Sequence, residues 1–331
     1  MFKNLIFTKK AVTLSKYHTL FTEYLKRNKQ KVRPNGLYAP ITYILNLGGK
    51  RLRPLLTLIA TEAFGAEAEE ALAAALSVEI FHNFTLIHDD IMDEAPIRRG
   101  VATVHEKWNA NIAILSGDVM FVKAYEQLSS CSTHVLPELL KAFNKTAVEV
   151  CEGQQMDMDF ENQDAISQKE YIQMIRLKTS VLLGCALEMG AIICEESTTN
   201  RKSIYDFGVN IGLAFQIQDD LLDLYGDTEK VGKQIGGDIL ANKNTLLSIL
   251  AENDANENQR NDLIQLKHEK DPNTKIARTK ALFDELNVKS KCNQVMQSYY
   301  QKALTNFSEI PLENKNTALL DLSNALMNRD F

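Results

Sequence analysis

Two clusters of aspartates with the same spacing are the residues best suited to chemistry in this chain. Each cluster reads Asp-Asp-x-x-Asp, and together they comprise Asp89, Asp90, Asp93, Asp219, Asp220 and Asp223. In a helix, residues four apart lie on one face, so the outer carboxylates of each cluster repel each other. Both clusters end largely apolar segments, where desolvation and the negative end of the helix dipole also disfavour anions. A pair of solvated acidic helix ends is the plain alternative, but two copies favour bound Mg2+, a hard cation that takes carboxylate and phosphate oxygens.

Basic residues gather in sequence near these clusters. The segment 48–54 reads GGKRLRP, and Arg98-Arg99-Gly100 follows the first cluster closely. Arginine offers a fork that matches phosphate, and lysine offers a point charge. Lys178-Thr179 and the lysines Lys233 and Lys243 add further candidates. Acidic clusters accompanied by such cations predict a metal-bridged polyanion, and a diphosphate fits that description.

Composition excludes several other classes of protein. The 331 residues carry a net charge of -6, which argues against a nucleic-acid partner. Apolar residues make up 45 % and charged residues 24 %, as in ordinary globular proteins. Five cysteines without a CxxC pair favour a reducing, cytoplasmic compartment. We expect no transmembrane segment, because no apolar run reaches the required length. A targeting role for residues 1–15 stays open as an alternative.

Helical periodicity dominates the chain and predicts an all-α fold in a single domain, 1–331. Segments that are apolar nearly all round predict two core helices, at 67–93 and 203–225. Three more helices are expected at 108–130, 134–160 and 167–194, a turn-rich connection follows Tyr225, and shorter amphipathic helices fill 243–331. No β-hairpin is expected.

Three stretches together resemble one family. GGKRLRP, FHNFTLIHDDIMDEAPIRRG and FQIQDDLLDLYGD, followed by GK and NK, are similar to the trans-isoprenyl diphosphate synthases, or polyprenyl synthetases, of the short-chain type. The resemblance implies an isoprenoid synthase helical bundle around a deep central cavity, usually a homodimer. It also implies condensation of isopentenyl diphosphate with an allylic diphosphate (dimethylallyl, geranyl or farnesyl), giving geranylgeranyl or farnesyl diphosphate.

The resemblance also implies roles for individual residues. The aspartates Asp89, Asp90, Asp93, Asp219, Asp220 and Asp223 would hold three Mg2+ ions. Isopentenyl diphosphate would be held by Lys50, Arg53, His82 and Arg99. The allylic diphosphate and its cation would be contacted by Arg98, Lys178, Thr179, Gln216, Lys233 and Lys243. Of these, Lys178, Thr179, Gln216 and Lys233 would act in catalysis.

Product length is expected to depend on Phe81, Phe84 and Thr85, which precede the first cluster. Phe84 lies about 7.5 Å up the helix from Asp89, and in the family a bulky residue there accompanies short products. Ordinary core aromatics are the alternative interpretation. The pattern leaves farnesyl and geranylgeranyl products open and slightly favours geranylgeranyl.

Three other functions fit parts of the pattern. A class I terpene cyclase would share the first aspartate motif, but it would lack the second motif in this form and the GGKRLRP segment. A non-catalytic subunit of a heteromeric synthase would tend to lose one aspartate cluster. The His88-Asp89 pair invites comparison with metal phosphohydrolases, but the other histidines lie in polar contexts that do not supply further ligands.

Overall fold

The computed structural model describes residues 9–28, 32–161, 163, 165–226, 235–312 and 318–327. Over these residues the regular structure is almost entirely helical, which confirms the predicted all-α fold. The α-helices, numbered in chain order, are α1 (Lys9–Arg27), α2 (Asn35–Asn46), α3 (Leu52–Ala63), α4 (Leu72–Met92), α5 (Val104–Lys107), α6 (Ala110–Leu128), α7 (Leu136–Glu161), α8 (Gln168–Ile175), α9 (Val181–Ile193), α10 (Thr198–Tyr225), α11 (Gly237–Leu240), α12 (Leu246–Asp254), α13 (Glu257–Lys267), α14 (Pro272–Glu285), α15 (Val288–Ser308) and α16 (Ala318–Met327).

The predicted helices are found close to their expected positions. The first core helix is α4, preceded by a 3-10 turn at Ala68–Ala71, and the second lies within α10. Where the sequence predicts one helix at 167–194, the structure has α8 and α9 joined by a π-helical turn, Arg176–Ser180. Reciprocal side-chain caps mark several helix starts, such as Ser167 with Glu170 before α8.

The expectation of no hairpin is wrong at one place. Strands β1 (Ile97–Arg98) and β2 (Val101–Ala102) pair antiparallel just after α4. The two residues between them, Arg99 and Gly100, both have positive φ (53° and 80°), as a type I′ turn requires. Strands of two residues are too short to show alternation, so the sequence gives no periodic signal for them.

The chain divides into two compact units. The first contains residues 1–145, 185–204 and 310–321, and the second contains 146–184, 205–309 and 322–331. In the first unit α4 packs along α3 and α6, and Leu76, Val78, Ile80 and Phe81 of α4 are fully buried. This burial explains why α4 is apolar on almost every face.

The second unit has its own hydrophobic core. Buried side chains of α8, α10, α12, α14 and α15 meet there, among them Tyr171, Leu221, Leu246 and Phe283. The second aspartate cluster therefore ends a helix that is packed on several sides.

The expectation that no apolar run is long enough to span a membrane needs one qualification. The helical stretch Ala68–Met92 is long and apolar enough by length and composition. However, 61 % of its most apolar window is buried inside the protein, as in the core helix of a globular protein.

Candidate active site

The first aspartate cluster lies at the carboxyl end of α4. Asp89 is half-buried, and Asp93 caps the helix and is exposed. Asp90 is fully buried and is held by Arg98 of the hairpin. The Nε atom of Arg98 donates to both carboxylate oxygens, at 2.7 and 2.9 Å, and its Nη2 lies 2.6 Å from Oδ1. Asp90 is therefore neutralised by an arginine, whereas Asp89 and Asp93 stand one turn apart on the same helix.

A second group of cations surrounds the loop between α2 and α3. Nη1 of Arg53 lies 3.1 Å from Nε2 of His82. The guanidinium of Arg99 donates to the carbonyl of Gly48. A Cβ atom at Gly49 would lie 2.9 Å from Nη1 of Arg99 and would displace that guanidinium, and the backbone φ of 126° also favours glycine there. The structure thus brings together three of the residues predicted to hold isopentenyl diphosphate: Arg53, His82 and Arg99.

The electrostatics of this group favour an added anion. Burial, opposed in part by Glu79, lowers the pKa of Arg53 to about 10, and burial and the neighbouring Arg51 lower that of Arg99. Burial and the surrounding arginines lower the pKa of His82 well below its usual value, so the ring is neutral at pH 7. The lowered pKa values mean that the site disfavours the positively charged forms of Arg53, Arg99 and His82.

Carboxylates balance only part of that positive charge. Arg51 pairs with the buried Glu79, and Arg98 pairs with Asp90. Within the described part of the chain, Arg53 and Arg99 have no carboxylate within 4.0 Å. A bound diphosphate would supply the missing negative charge.

The second aspartate cluster lies at the carboxyl end of α10. Asp219 and Asp223 are half-buried, and Asp220 is buried. Burial raises the pKa of Asp220 to about 8, although the Tyr171 hydroxyl donates to it. Oδ2 of Asp223 accepts the backbone N–H of Asp238 at 3.0 Å, which ties the end of α10 to α11. The cluster thus contains carboxylates in two different environments.

The π-helical turn Arg176–Ser180 carries two predicted catalytic residues. Nζ of Lys178 lies 2.5 Å from Oδ2 of Asp157, and Oγ1 of Thr179 lies 3.5 Å from Oε1 of Gln216. Single π-turns inside helices often occur at functional sites, because the wider turn changes the direction of side chains. Periodicity alone does not reveal such a turn.

Two glycines allow this turn to pack closely against neighbouring helices. A Cβ at Gly153 of α7 would lie against the backbone of Leu177 and Lys178, and one at Gly212 of α10 would lie 2.7 Å from Cα of Ser180. Backbone atoms cannot move aside as a flexible side chain can, so both positions require glycine. Sequence reasoning missed these two residues, since isolated glycines in helices give only a weak signal.

The remaining predicted lysines differ in where the structure places them. Lys243 is exposed and lies two residues before Thr245, the buried N-cap of α12. The segment before it is fastened by the buried Lys275, whose Nζ donates to Oδ1 of Asn242 at 2.7 Å. Lys233 lies outside the described residues. Lys50 is exposed within the α2–α3 loop.

Phe81 and Phe84 belong to an aromatic cluster between α4, α6 and α7. The ring of Phe84 stacks on Phe121 with centroids 5.1 Å apart and planes 14° apart, and Phe81 contacts Phe143 edge-on at 5.2 Å. Phe81 is fully buried and Phe84 is half-buried. The Thr85 hydroxyl donates to the carbonyl of His82 in its own helix. Phe121 was not among the predicted length-determining residues.

The donor atoms of both aspartate clusters fit Mg2+. The described residues contain no group of three or more His, Cys, Asp or Glu side chains arranged as a ready metal site. Mg2+ in phosphate-handling sites uses one or two carboxylates and leaves its other positions to water and phosphate oxygens. The half-buried Asp89 with the exposed Asp93, and the half-buried pair Asp219 and Asp223, meet that requirement.

A family model described as polyprenyl synthetase matches residues 34–286. The chain belongs to the polyprenyl synthetase family. The matched range includes the α2–α3 loop, both aspartate clusters and the π-helical turn.

Individual relatives agree with this membership. A geranylgeranyl pyrophosphate synthase of Geoglobus acetivorans is 43 % identical over 236 residues, 70 % of this chain and 73 % of the relative. A geranylfarnesyl diphosphate synthase of Natronomonas pharaonis is 38 % identical over 237 residues, 66 % of this chain and 70 % of the relative. A crystal structure of a geranylgeranyl pyrophosphate synthase superposes with a TM-score of 0.91 at 44 % identity, covering 96 % of this chain and 99 % of that one.

These matches confirm the predicted resemblance to short-chain trans-prenyl synthases. They also confirm that the protein is an enzyme, a prenyltransferase of the polyprenyl synthetase family. The roles of the individual residues stay predictions.

Proposed function

We propose that this polyprenyl synthetase joins isopentenyl diphosphate to an allylic diphosphate, head to tail, and releases a short trans-prenyl diphosphate. The observation that carries the proposal is the cation group around the α2–α3 loop. Neither Arg53 nor Arg99 has a carboxylate partner among the described residues, and both lie beside a neutral His82. A site with surplus positive charge outside the aspartate clusters suits a second diphosphate substrate.

Each acidic cluster would hold the allylic diphosphate through magnesium. Asp89 and Asp93 would bind two ions, and Asp219 with Asp223 would bind a third. When bound, Mg2+ would supply positive charge to the leaving diphosphate as the allylic C–O bond breaks. Asp90 would act differently, by fixing Arg98 for a contact with the same diphosphate, because its oxygens already accept hydrogen bonds from that arginine. Asp220, whose pKa is raised to about 8, would orient Gln216 by accepting a hydrogen bond from its amide nitrogen.

The side chains of the π-helical turn would stabilise the allylic carbocation and its counter-ion. Lys178, with Lys233 and Lys243, would contact the departing diphosphate, while Thr179 and Gln216 would present oxygen atoms to the cation. Charges arranged in advance lower the cost of charge separation in the transition state. The apolar surroundings would keep water from the cation. Carbon–carbon bond formation and loss of a proton to the departing diphosphate would complete the turnover.

The experiment that tests this function measures diphosphate release from purified protein with geranyl diphosphate and Mg2+, with and without isopentenyl diphosphate. Condensation predicts release only when both substrates are present, together with a longer prenyl product. Release from the allylic substrate alone would indicate a cyclase instead. No release under either condition would indicate a non-catalytic subunit and would contradict the proposal.

We propose geranylgeranyl diphosphate as the main product. Two of the similar proteins described above are geranylgeranyl pyrophosphate synthases, and the half-buried Phe84 ring stacked on Phe121 would limit the growth of the prenyl chain. Dephosphorylation of the products and chromatography of the alcohols would identify the chain length. A farnesyl product would contradict this part of the proposal.

We also propose that the chain acts as a single polyprenyl synthetase domain, in the cytoplasm. The match at 34–286 includes parts of both compact units, which supports one functional domain. Fluorescence microscopy of the tagged full chain would test the location, and a membrane-bound signal would contradict it.

A homodimer is the assembly we propose. Three apolar side chains of α6 are exposed by 42 % to 60 %, namely Ile114, Leu115 and Val122, and a second copy would cover them. Light scattering after gel filtration should give twice the chain mass, and Leu115→Glu should reduce it. Ile264→Glu, at a similarly exposed apolar residue of α13, is the matched control. A single-chain mass for the wild type would contradict the proposal.

A further inference from the structure

Glu79 is a buried carboxylate in the middle of the core helix α4, and the proposed reaction gives it no role. Its side chain is only 2 % exposed. An isolated ionised carboxylate in such a place would be very unfavourable. Glu79 is stabilised by Arg51, whose Nη1 donates to Oε1, and by Asn83, whose Nδ2 donates to the same oxygen at 2.9 Å.

Arg51 connects this carboxylate to the substrate-binding loop. Its guanidinium also donates to the carbonyl of Leu45, near the end of α2, so one side chain joins α2, the loop and α4. The backbone of Arg51 is left-handed (φ 48°, ψ 38°) at the residue before α3. A non-glycine residue adopts that conformation only when its surroundings hold it there.

The loop held in this way carries Gly48, Gly49 and Lys50, and Arg53 follows within the first turn of α3. On its other side the loop accepts a hydrogen bond from Arg99 at the Gly48 carbonyl. Arg99 has no carboxylate partner among the described residues, whereas Arg51 is anchored by one. The Glu79–Arg51 pair is therefore the charged anchor of the loop.

We infer that Glu79 is a positioning residue for isopentenyl diphosphate. By anchoring Arg51, it fixes the backbone from which Lys50 and Arg53 extend. Because Arg51 is paired with Glu79, it also does not compete with Lys50 and Arg53 for the diphosphate. The inference rests on the proposed function, because it concerns the binding of the second substrate. It predicts that loss of the Glu79 charge weakens isopentenyl diphosphate binding and leaves the allylic substrate unaffected.

The test is steady-state kinetics of Glu79→Gln, which keeps the size and hydrogen-bonding ability of the side chain. KM for isopentenyl diphosphate should rise about tenfold or more, while KM for geranyl diphosphate stays within about twofold. A merely structural residue would lower the amount of active enzyme and leave both KM values unchanged. Equal KM values for wild type and a folded Glu79→Gln would overturn the inference.

A second variant covers the case in which Glu79→Gln fails to fold. Arg51→Met combined with Glu79→Gln removes both charges, and neutral replacement of a buried ion pair is often tolerated. This double variant should fold and still show the raised KM for isopentenyl diphosphate. Normal KM values for it would show that the pair serves only stability.

The matched control is Glu62→Gln on α3. Glu62 also pairs with a cation, Lys16 at 2.6 Å, but it lies nine residues beyond Arg53 along the helix, about 13.5 Å away. Its KM values should not change. Absence of condensation by the wild-type protein would contradict the proposed function itself, whereas failure of this inference would appear only in the variants.

Discussion

At the scale of single residues, equal-looking aspartates have different environments. Asp90 is bound by Arg98 and Asp220 accepts a hydrogen bond from Tyr171, whereas Asp89 and Asp219 are half-buried at helix ends. The middle aspartate of each motif therefore serves another side chain in this structure. The first aspartate of each motif is the stronger candidate for direct metal binding.

Replacing either first aspartate should nearly abolish activity. Asp89→Ala and Asp219→Ala should each lower kcat by several orders of magnitude, because each removes a metal ligand that acts in the transition state. Diphosphate release over a range of Mg2+ concentrations is the measurement. Asp262→Ala, at an exposed aspartate of α13, is the control. Activity close to wild type in either site variant would refute the assigned role.

The buried Asp220 should make stability depend on pH when no metal is present. Its pKa is raised from 3.8 to about 8 in the folded protein, so the folded state binds the proton more tightly than the unfolded state. Its contribution to stability is complete below about pH 4 and is lost as the pH rises towards 8, by a total on the order of a few kcal/mol.

Urea unfolding in EDTA at several pH values between 5 and 8 would measure this effect. Wild type should lose stability with rising pH more steeply than Asp220→Asn, whose side chain does not titrate. Identical slopes for the two proteins would mean that Asp220 is ionised throughout.

At the scale of elements, two glycines leave the room in which the π-helical turn packs against neighbouring helices. Gly212→Ala would place a methyl group against the backbone of Ser180, so the turn carrying Lys178 and Thr179 would shift. We expect a fall in kcat of at least about tenfold, since small misplacements of catalytic groups are costly. Gly36→Ala in α2 is the control, because no atom lies within 4 Å of its added Cβ. Equal losses in both variants would indicate a general effect of alanine.

The aromatic cluster should set product length at the level of helix packing. Phe84→Ala removes the ring that stacks on Phe121 and should lengthen the product by at least one isoprene unit. Phe307→Ala, in a separate aromatic pair with Phe207, is the control and should leave the product unchanged. Chromatography of the dephosphorylated products gives the answer. An unchanged distribution for Phe84→Ala would remove the role of this ring as the cavity floor.

Elements differ in how well the sequence predicts them. Long helices such as α4 and α10 are predicted because their apolar periodicity is repeated over many residues. The hairpin that carries Arg99 is missed because each of its strands has two residues. The π-helical turn is missed because it interrupts the helix without a proline or glycine at the break.

The sequence predicts the candidate site only in part, as it does the fold. Spacing along the chain predicts the aspartates and most of the cations, because those residues form short local motifs. Arg51 looks in sequence like one more phosphate ligand, yet its partner Glu79 is 28 residues away in an apolar helix. Pairings between distant residues depend on tertiary packing, which one sequence without a structure does not reveal.

At the scale of the whole molecule, binding should be linked to stability. Mg2+ together with an unreactive allylic diphosphate analogue at about 100 times its Kd should stabilise the folded protein by about 2.7 kcal/mol. Either component alone should do much less, since the carboxylates and the diphosphate need the cation between them. Calorimetry would give the change in Tm. Asp89→Ala should lose most of the synergy, and full synergy in that variant would contradict the metal assignment.

The π-helical turn also has a consequence for insertions and deletions. Each residue of a regular α-helix rotates the chain by about 100°, and the turn at Arg176–Ser180 offsets α8 from α9 by part of such a step. Loss of one residue there would let the two helices merge into one uninterrupted rod. Tyr171 would then rotate away from Asp220, and the face that carries Thr179 would turn as well. Changes in chain length should therefore be tolerated less at this point than most substitutions.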